Sequence, residues 1–238
     1  MRRLPAIPVL IMALACANFS PLPAGQPRTA AAEPDWLSIV GLYPRAGTPT
    51  GYGEQAILFW LQTARTAQDV ARANAENTPS FGCYAQDIHL ACALDGQEVP
   101  VEIQDFPRTE AVLDQARQDL LPILQALQAT FARPRPYLSY PGLQPALPLA
   151  GGPSYPSTNA TLGTVFAEII AQYDQADVNA LRTTGKLMGT DRVLGGVHYP
   201  SDVDAGQRLG KAFATWWIDS HLALIQTACS EWSAATAR

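Results

Sequence analysis

Apolar residues recur at three- and four-residue steps through most of the chain. From Glu54 to about Asn77 the repeat is Ile57, Trp60, Leu61, Ala64, Val70 and Ala71. From Glu110 to Phe131 it is Leu113, Ala116, Leu120, Ile123, Leu124, Leu127 and Phe131. Between Ala160 and Tyr173 it is Leu162, Val165, Phe166, Ile169, Ile170 and Tyr173, and Val178–Gly189 and Val203–Ile225 complete the set. This spacing lays an apolar stripe along one face of a helix, so each run predicts a helix that buries those residues. Pro122 falls inside the second run. It lacks an N–H and crowds the preceding turn, so it kinks that helix or divides it in two. No run alternates with period two over a strand's length, and no hairpin signal stands out. The prediction is an all-α helical bundle. A length of 238 residues suits one domain.

Three polar segments marked by Pro or Gly separate the helices: Arg133–Pro136, Gly151–Asn159 and Asp191–Asp202. The residues able to do chemistry concentrate there, and loops held by a rigid scaffold are where function tends to sit. In the third segment Gly195-Gly196 breaks the chain, so Arg192 ends one element, and Pro200 favours the first turn of the next. His198 and Asp202 are four apart, close enough to meet on helical backbone. A carboxylate on one ring nitrogen fixes the tautomer and frees the other nitrogen to attack. The same pair also reads as a capping histidine beside a solvated Asp. In the second segment Ser157, Thr158 and Asn159 are N-cap types ahead of the run from Ala160. Open N–H groups at a helix start bind anions, although a plain capped helix fits equally. In the first segment the prolines of Arg133-Pro134-Arg135-Pro136 stiffen a cationic corner. It suits bidentate phosphate contacts, or a surface charge at a helix end.

Taken together and in order, the segments resemble the signature of the type 2 phosphatidic acid phosphatase superfamily: K-x6-R-P, then P-S-G-H, then S-R-x5-H-x3-D. Arg192, His198 and Asp202 match the third block with its spacing, Arg135-Pro136 the first and Pro156-Ser157 the second. The texture around them is similar to the soluble bacterial class A non-specific acid phosphatases, over roughly residues 39–230. The resemblance implies the helical fold that these enzymes share with vanadium haloperoxidases. It implies that His198 forms a phosphohistidine, that Asp202 orients it, and that Arg135, Arg192, Ser157 and N–H groups near Thr158 hold the phosphoryl oxygens. Positioning and charge stabilisation carry most of such a reaction. Neither metal nor other cofactor is implied, and the substrates would be small phosphate monoesters.

Three signature positions depart from the pattern. Gln128 stands where the family has Lys, Asp191 replaces the Ser before Arg192, and Asn159 takes the place of the P-S-G-H histidine. In the family that histidine protonates the leaving oxygen, which Asn cannot do. A missing general acid typically costs ~10²–10⁴-fold in rate, and the lost Lys and added Asp also reduce positive charge. The expectation is a phosphatase favouring good leaving groups. The alternatives are a phosphate-binding member without turnover and, third, a vanadate-holding peroxidase-like site. His89 is an unassigned candidate acid.

Composition narrows the class further. Hydrophobic residues make up 47% and charged ones 16%, as in a well-buried protein. A net charge of −5 gives no basic surface for nucleic acid. Met1-Arg2-Arg3 followed by apolar Leu4–Ala17 reads as an export signal, too short to span a bilayer. Residues 1–32 are therefore expected to be signal and flexible leader, with 33–238 as the domain, periplasmic or secreted. A lipoprotein site at Cys16 is the alternative. No later segment reads as a transmembrane anchor, and the sequence is compatible with a homo-oligomer. Export permits a disulfide, and Cys83–Cys92 bracket a short loop, leaving Cys229 buried. His89, His198 and His221 show no metal-ligand spacing.

Overall fold

Glu54 is the only charged residue between Pro49 and Ala64, and it sets the phase of the helix that carries it. The computed structural model describes residues 32–87, 90–91, 98–99 and 103–236. Helix α1 (Trp36–Val40) is followed by α2 (Pro49–Ala64), capped by Thr48, whose hydroxyl accepts from Gly51 N. The buried positions of α2 are Gly51, Glu54 and Leu58. Ile57 and Trp60, expected in the core, are 43% and 65% exposed. The reason is that Glu54 turns inward to pair with buried Arg133, and satisfying two buried charges outweighs hiding two apolar side chains. The single helix expected over 54–77 is also two. Thr66 and Asp69 form a capping box that starts α3 (Ala67–Ala75).

The later runs keep their expected character with shifted ends. Helix α4 (Pro107–Phe131) continues through Pro122 without division. Leu120 and Leu124, on either side of that proline, are buried in the same core. Its N-terminus is capped across the chain, with Arg108 N and Thr109 N donating to the two oxygens of Glu231 at 2.6 and 3.0 Å. A one-turn helix α5 (Pro136–Ser139) precedes α6 (Thr158–Ile170), which starts two residues before the predicted Ala160. Helix α7 (Val178–Leu194) extends five residues past Gly189. The run over 203–225 divides at His221 into α8 (Pro200–Ser220) and α9 (Leu222–Thr236). Two 3₁₀ turns (Phe81–Asp87 and Ile103–Asp105) and a two-residue antiparallel ladder complete the described residues. The ladder pairs β1 (Leu90–Ala91) with β2 (Glu98–Val99) in the register Leu90–Val99 and Ala91–Glu98. The architecture is all-α.

Helix α6 packs against both α7 and α8 at the centre. Small residues permit the approach. A Cβ on Gly163 would lie 2.6 Å from the carbonyl oxygen of Gly185, and one on Gly206 would lie 2.6 Å from that of Ser157. The second contact brings the start of α6 against the first turns of α8, where Ser157 N donates to Asp202 O at 2.9 Å. Phe166, Ile169, Ile170, Leu209, Phe213 and Trp217 fill the core beyond. Among the described residues no helix is long and apolar enough to cross a membrane. The expected leader, the Cys83–Cys92 pairing and His89 involve positions outside the described residues.

Candidate active site

Helix α7 ends at Gly195-Gly196, the second of which has φ +76°. That turn folds the chain back so that Val197 N and His198 N both donate to the carbonyl of Arg192. Pro200 then opens α8, which places His198 at its mouth and Asp202 in its first turn. The Oδ2 atom of Asp202 accepts from Tyr199 N at 2.9 Å and faces His198 Nδ1 at 3.2 Å. His198 is 4% exposed and Asp202 is fully buried. Burial alone would raise the Asp202 carboxyl, yet the bond from His198 and the charge of Arg133 hold it below its ordinary range. Burial lowers His198, and Arg135 and Arg192 act in the same direction, against the opposing pull of Asp202.

Arg135 reaches the same imidazole from the loop before α5. Its Nη1 lies 3.1 Å from His198 Nε2 and 3.0 Å from Val197 O, while Nε donates to Gly152 O at 3.1 Å. A guanidinium has no acceptor atom. Nε2 therefore accepts, and the ring proton is on Nδ1 toward Asp202. The geometry thus defines a neutral imidazole with its lone pair directed away from the carboxylate.

The start of α6 forms the neighbouring wall. Ser157 is its N-cap, accepting from Ala160 N, and is completely buried. The first N–H groups of a helix have no partner within it. Gln128, on the last turn of α4, donates through Nε2 to Pro156 O and to Thr158 Oγ1, both at 3.0 Å. A neutral amide thus braces the loop at the position where the resemblance expects an ammonium. Asn159 Nδ2 donates to Asn77 O at 2.8 Å, so its amide is committed to the end of α3.

Arg192 is also anchored to that end. Its Nη2 donates to Ala73 O, its Nη1 donates to Asn77 Oδ1 at 2.7 Å, and it is 2% exposed. A cation on the last carbonyls of a helix is favourable. Its Nε is buried with no partner among the described residues. Burial lowers both Arg192 and Arg135 from the usual arginine value. The charge of Asp191, which acts on Arg192, is offset by Arg72, which also pairs with Asp69 at 3.1 Å. Arg72 grips Asp191 bidentately at 2.9 and 3.0 Å. Removing Arg72 would strand a carboxylate that is 2% exposed. Because Arg72 itself is 37% exposed, Arg72→Ala is expected to cost about 1–2 kcal/mol in urea unfolding, below the range for a fully buried pair. Arg72→Ala/Asp191→Ser should recover most of that loss.

Glu76 follows Arg72 by one turn. Its Oε2 is buried without a hydrogen-bond partner among the described residues, and burial together with nearby Asp191 pushes its carboxyl from an ordinary 4.5 to about 7. The folded chain keeps this proton where the unfolded chain has lost it. The stability Glu76 contributes is therefore fully present below 4.5 and is lost as pH rises through 7. Glu76→Gln should be more stable than the parent above pH 7, with the difference closing toward pH 4.5 in parallel denaturation curves.

Arg133 is the main revision to the sequence reading. Instead of joining Arg135 at a phosphate-facing corner, it lies 4% exposed between two carboxylates. Nη2 meets Glu54 at 2.7 Å and Nη1 meets Asp202 Oδ1 at 2.6 Å. The Tyr199 and Tyr43 rings flank its guanidinium at 3.6 and 4.6 Å. Glu54, Arg72, Glu76 and Asn77 were absent from the expected site. A lone carboxylate in an otherwise uncharged helix was a usable signal for Glu54. Nothing in local sequence marked Asn77. Among the described residues no three His, Cys, Asp or Glu side chains gather into a metal-sized cluster. No protein-family model matches the chain.

Proposed function

We propose that this protein is a phosphatase of the acid phosphatase type, hydrolysing phosphate monoesters through a phosphohistidine on His198. The observation that carries the proposal is the placing of the His198 ring between Arg135 and Asp202, which assigns its tautomer. Arg135 donates to Nε2 and Asp202 holds Nδ1, so a neutral imidazole presents a nucleophilic lone pair among arginines without carboxylate hydrogen bonds. In the reaction Arg135 passes its donor from Nε2 to a phosphoryl oxygen. The Nε2 lone pair forms the bond to phosphorus as the ester P–O bond breaks. The imidazolium that results keeps its Nδ1 proton against Asp202, which offsets its charge. Arg192 and the open N–H groups of α6 neutralise the equatorial oxygens. Water then attacks phosphorus, releases inorganic phosphate and restores the neutral ring.

The leaving oxygen departs without an acid at position 159, because an amide N–H is too weak an acid to transfer its proton and that of Asn159 is bound to Asn77 O. Activated esters are therefore the preferred substrates. That same contact favours a second reading, a phosphate-binding protein without turnover. The test is hydrolysis of p-nitrophenyl phosphate between pH 4 and 8. Turnover supports the phosphatase; phosphate binding without turnover leaves the binding protein. On this reading the apolar leader exports the chain to the periplasm or beyond.

A further inference from the structure

Three observations about Arg133 go beyond what a phosphate site requires. It is buried, it is sandwiched between Tyr43 and Tyr199, and it divides its two terminal nitrogens between two carboxylates. Glu54 is fixed in turn: its Oε1 accepts from Ser201 N at 2.8 Å, and Ser201 Oγ accepts from Arg133 at 2.8 Å. A continuous chain of contacts thus runs from Glu54 through Arg133 to Asp202 and His198. The pair at its far end touches neither the imidazole nor the start of α6.

The geometry points to Glu54 and Arg133 as positioning residues for the nucleophile. Arg133 holds Asp202 by Oδ1 so that Oδ2 alone is left for His198 and Tyr199 N, and Glu54 offsets part of the charge that Arg133 would otherwise impose on Asp202. This deepens the phosphatase reading and rests on it. The carboxylate is fixed in one orientation, so the imidazole is held with Nε2 toward Arg135. Its electrostatic pull is also shared. Without Glu54, Arg133 draws fully on Asp202 and the carboxylate stabilises an imidazolium less. Without Arg133, Asp202 acts undivided on His198 and stabilises the imidazolium more. The other charges facing His198, Arg135 from the loop before α5 and Arg192 from α7, are the same in both cases.

The two substitutions therefore have opposite signatures, which loss of packing alone would not produce. The His198 ring nitrogens would be titrated by NMR in the full chain, with helical content checked by circular dichroism. Glu54→Gln should lower the His198 titration midpoint by about half a unit or more, and Arg133→Gln should raise it by a similar amount. Glu54→Gln/Arg133→Gln does not strand Glu54, and it should retain a smaller rise. The acid limb of kcat/KM on p-nitrophenyl phosphate should move with each midpoint. Midpoints that move the same way, or do not move in folded protein, would overturn the assignment. The NMR reading needs no turnover. An inactive parent with opposite shifts would defeat the phosphatase reading and keep the positioning role. An active parent without the shifts would do the reverse.

Discussion

His198→Ala is expected to abolish hydrolysis of p-nitrophenyl phosphate, lowering kcat/KM by on the order of 10⁴-fold or more. On the proposed mechanism the substitution removes the atom that bonds to phosphorus, and among the described residues the neighbouring side chains are otherwise engaged. Ser157 is committed to capping α6, and both Asp202 oxygens are engaged, by Arg133 on one side and by Tyr199 N and His198 on the other. Phosphate affinity should fall far less, because Arg135, Arg192 and the start of α6 remain. A variant that still binds phosphate but no longer turns over separates a nucleophile from a ligand-binding histidine. Equal losses in binding and rate would argue that His198 only shapes the pocket.

The second large effect concerns the leaving group. Nitrophenolate departs readily without a proton, whereas an alkoxide does not, so the parent should strongly prefer the aryl ester. Asn159→His places an imidazole at the start of α6, at the position where the resembling enzymes carry their acid. One of its N–H groups can replace the bond to Asn77 O, and losing that bond would cost only about 1 kcal/mol. The expected result is a gain on an alkyl phosphate of roughly 10²-fold, within the usual range for a positioned general acid. The aryl ester should change little. A uniform gain on both esters would indicate better phosphate binding rather than proton donation. A loss on both would mean that the Asn77–Asn159 contact has a structural role that imidazole cannot fill.

The fold was legible where the signal was local and repeated. Leu113, Ala116, Leu120, Leu124 and Leu127 are buried as their period requires, with Ile123 half-buried beside them, Pro200 opens α8, Ser157 caps α6, and Gly195-Gly196 ends α7. The reading failed where a tertiary partner overrode the pattern. In α2 the apolar period placed Ile57 and Trp60 inside, but a buried arginine 79 residues away pulled Glu54 inward and turned the helix. The site divides in the same way. His198 lies just before α8 and Asp202 lies in its first turn, so their short separation in sequence encoded their contact. Arg133 and Arg135 alternate along an extended segment, and their opposite destinations depend on Glu54 and on the Gly152–Pro153 carbonyls, which lie elsewhere in the chain. Asp191 looked like an added negative charge because Arg72, its partner, is 119 residues distant in sequence. The end of α3 was invisible for a related reason. Asn77 acts through a backbone carbonyl and one amide oxygen, and neither leaves a pattern in sequence.

If phosphorus bonds to His198, that bond can be trapped. Protein mixed with p-nitrophenyl phosphate carrying a labelled phosphoryl group would be quenched into base within one turnover, digested and mapped. Label is expected on the peptide containing His198, stable to base and lost in acid, and absent from His198→Ala. Turnover that leaves no label on His198, or that persists in His198→Ala, would contradict a bond from His198 to phosphorus.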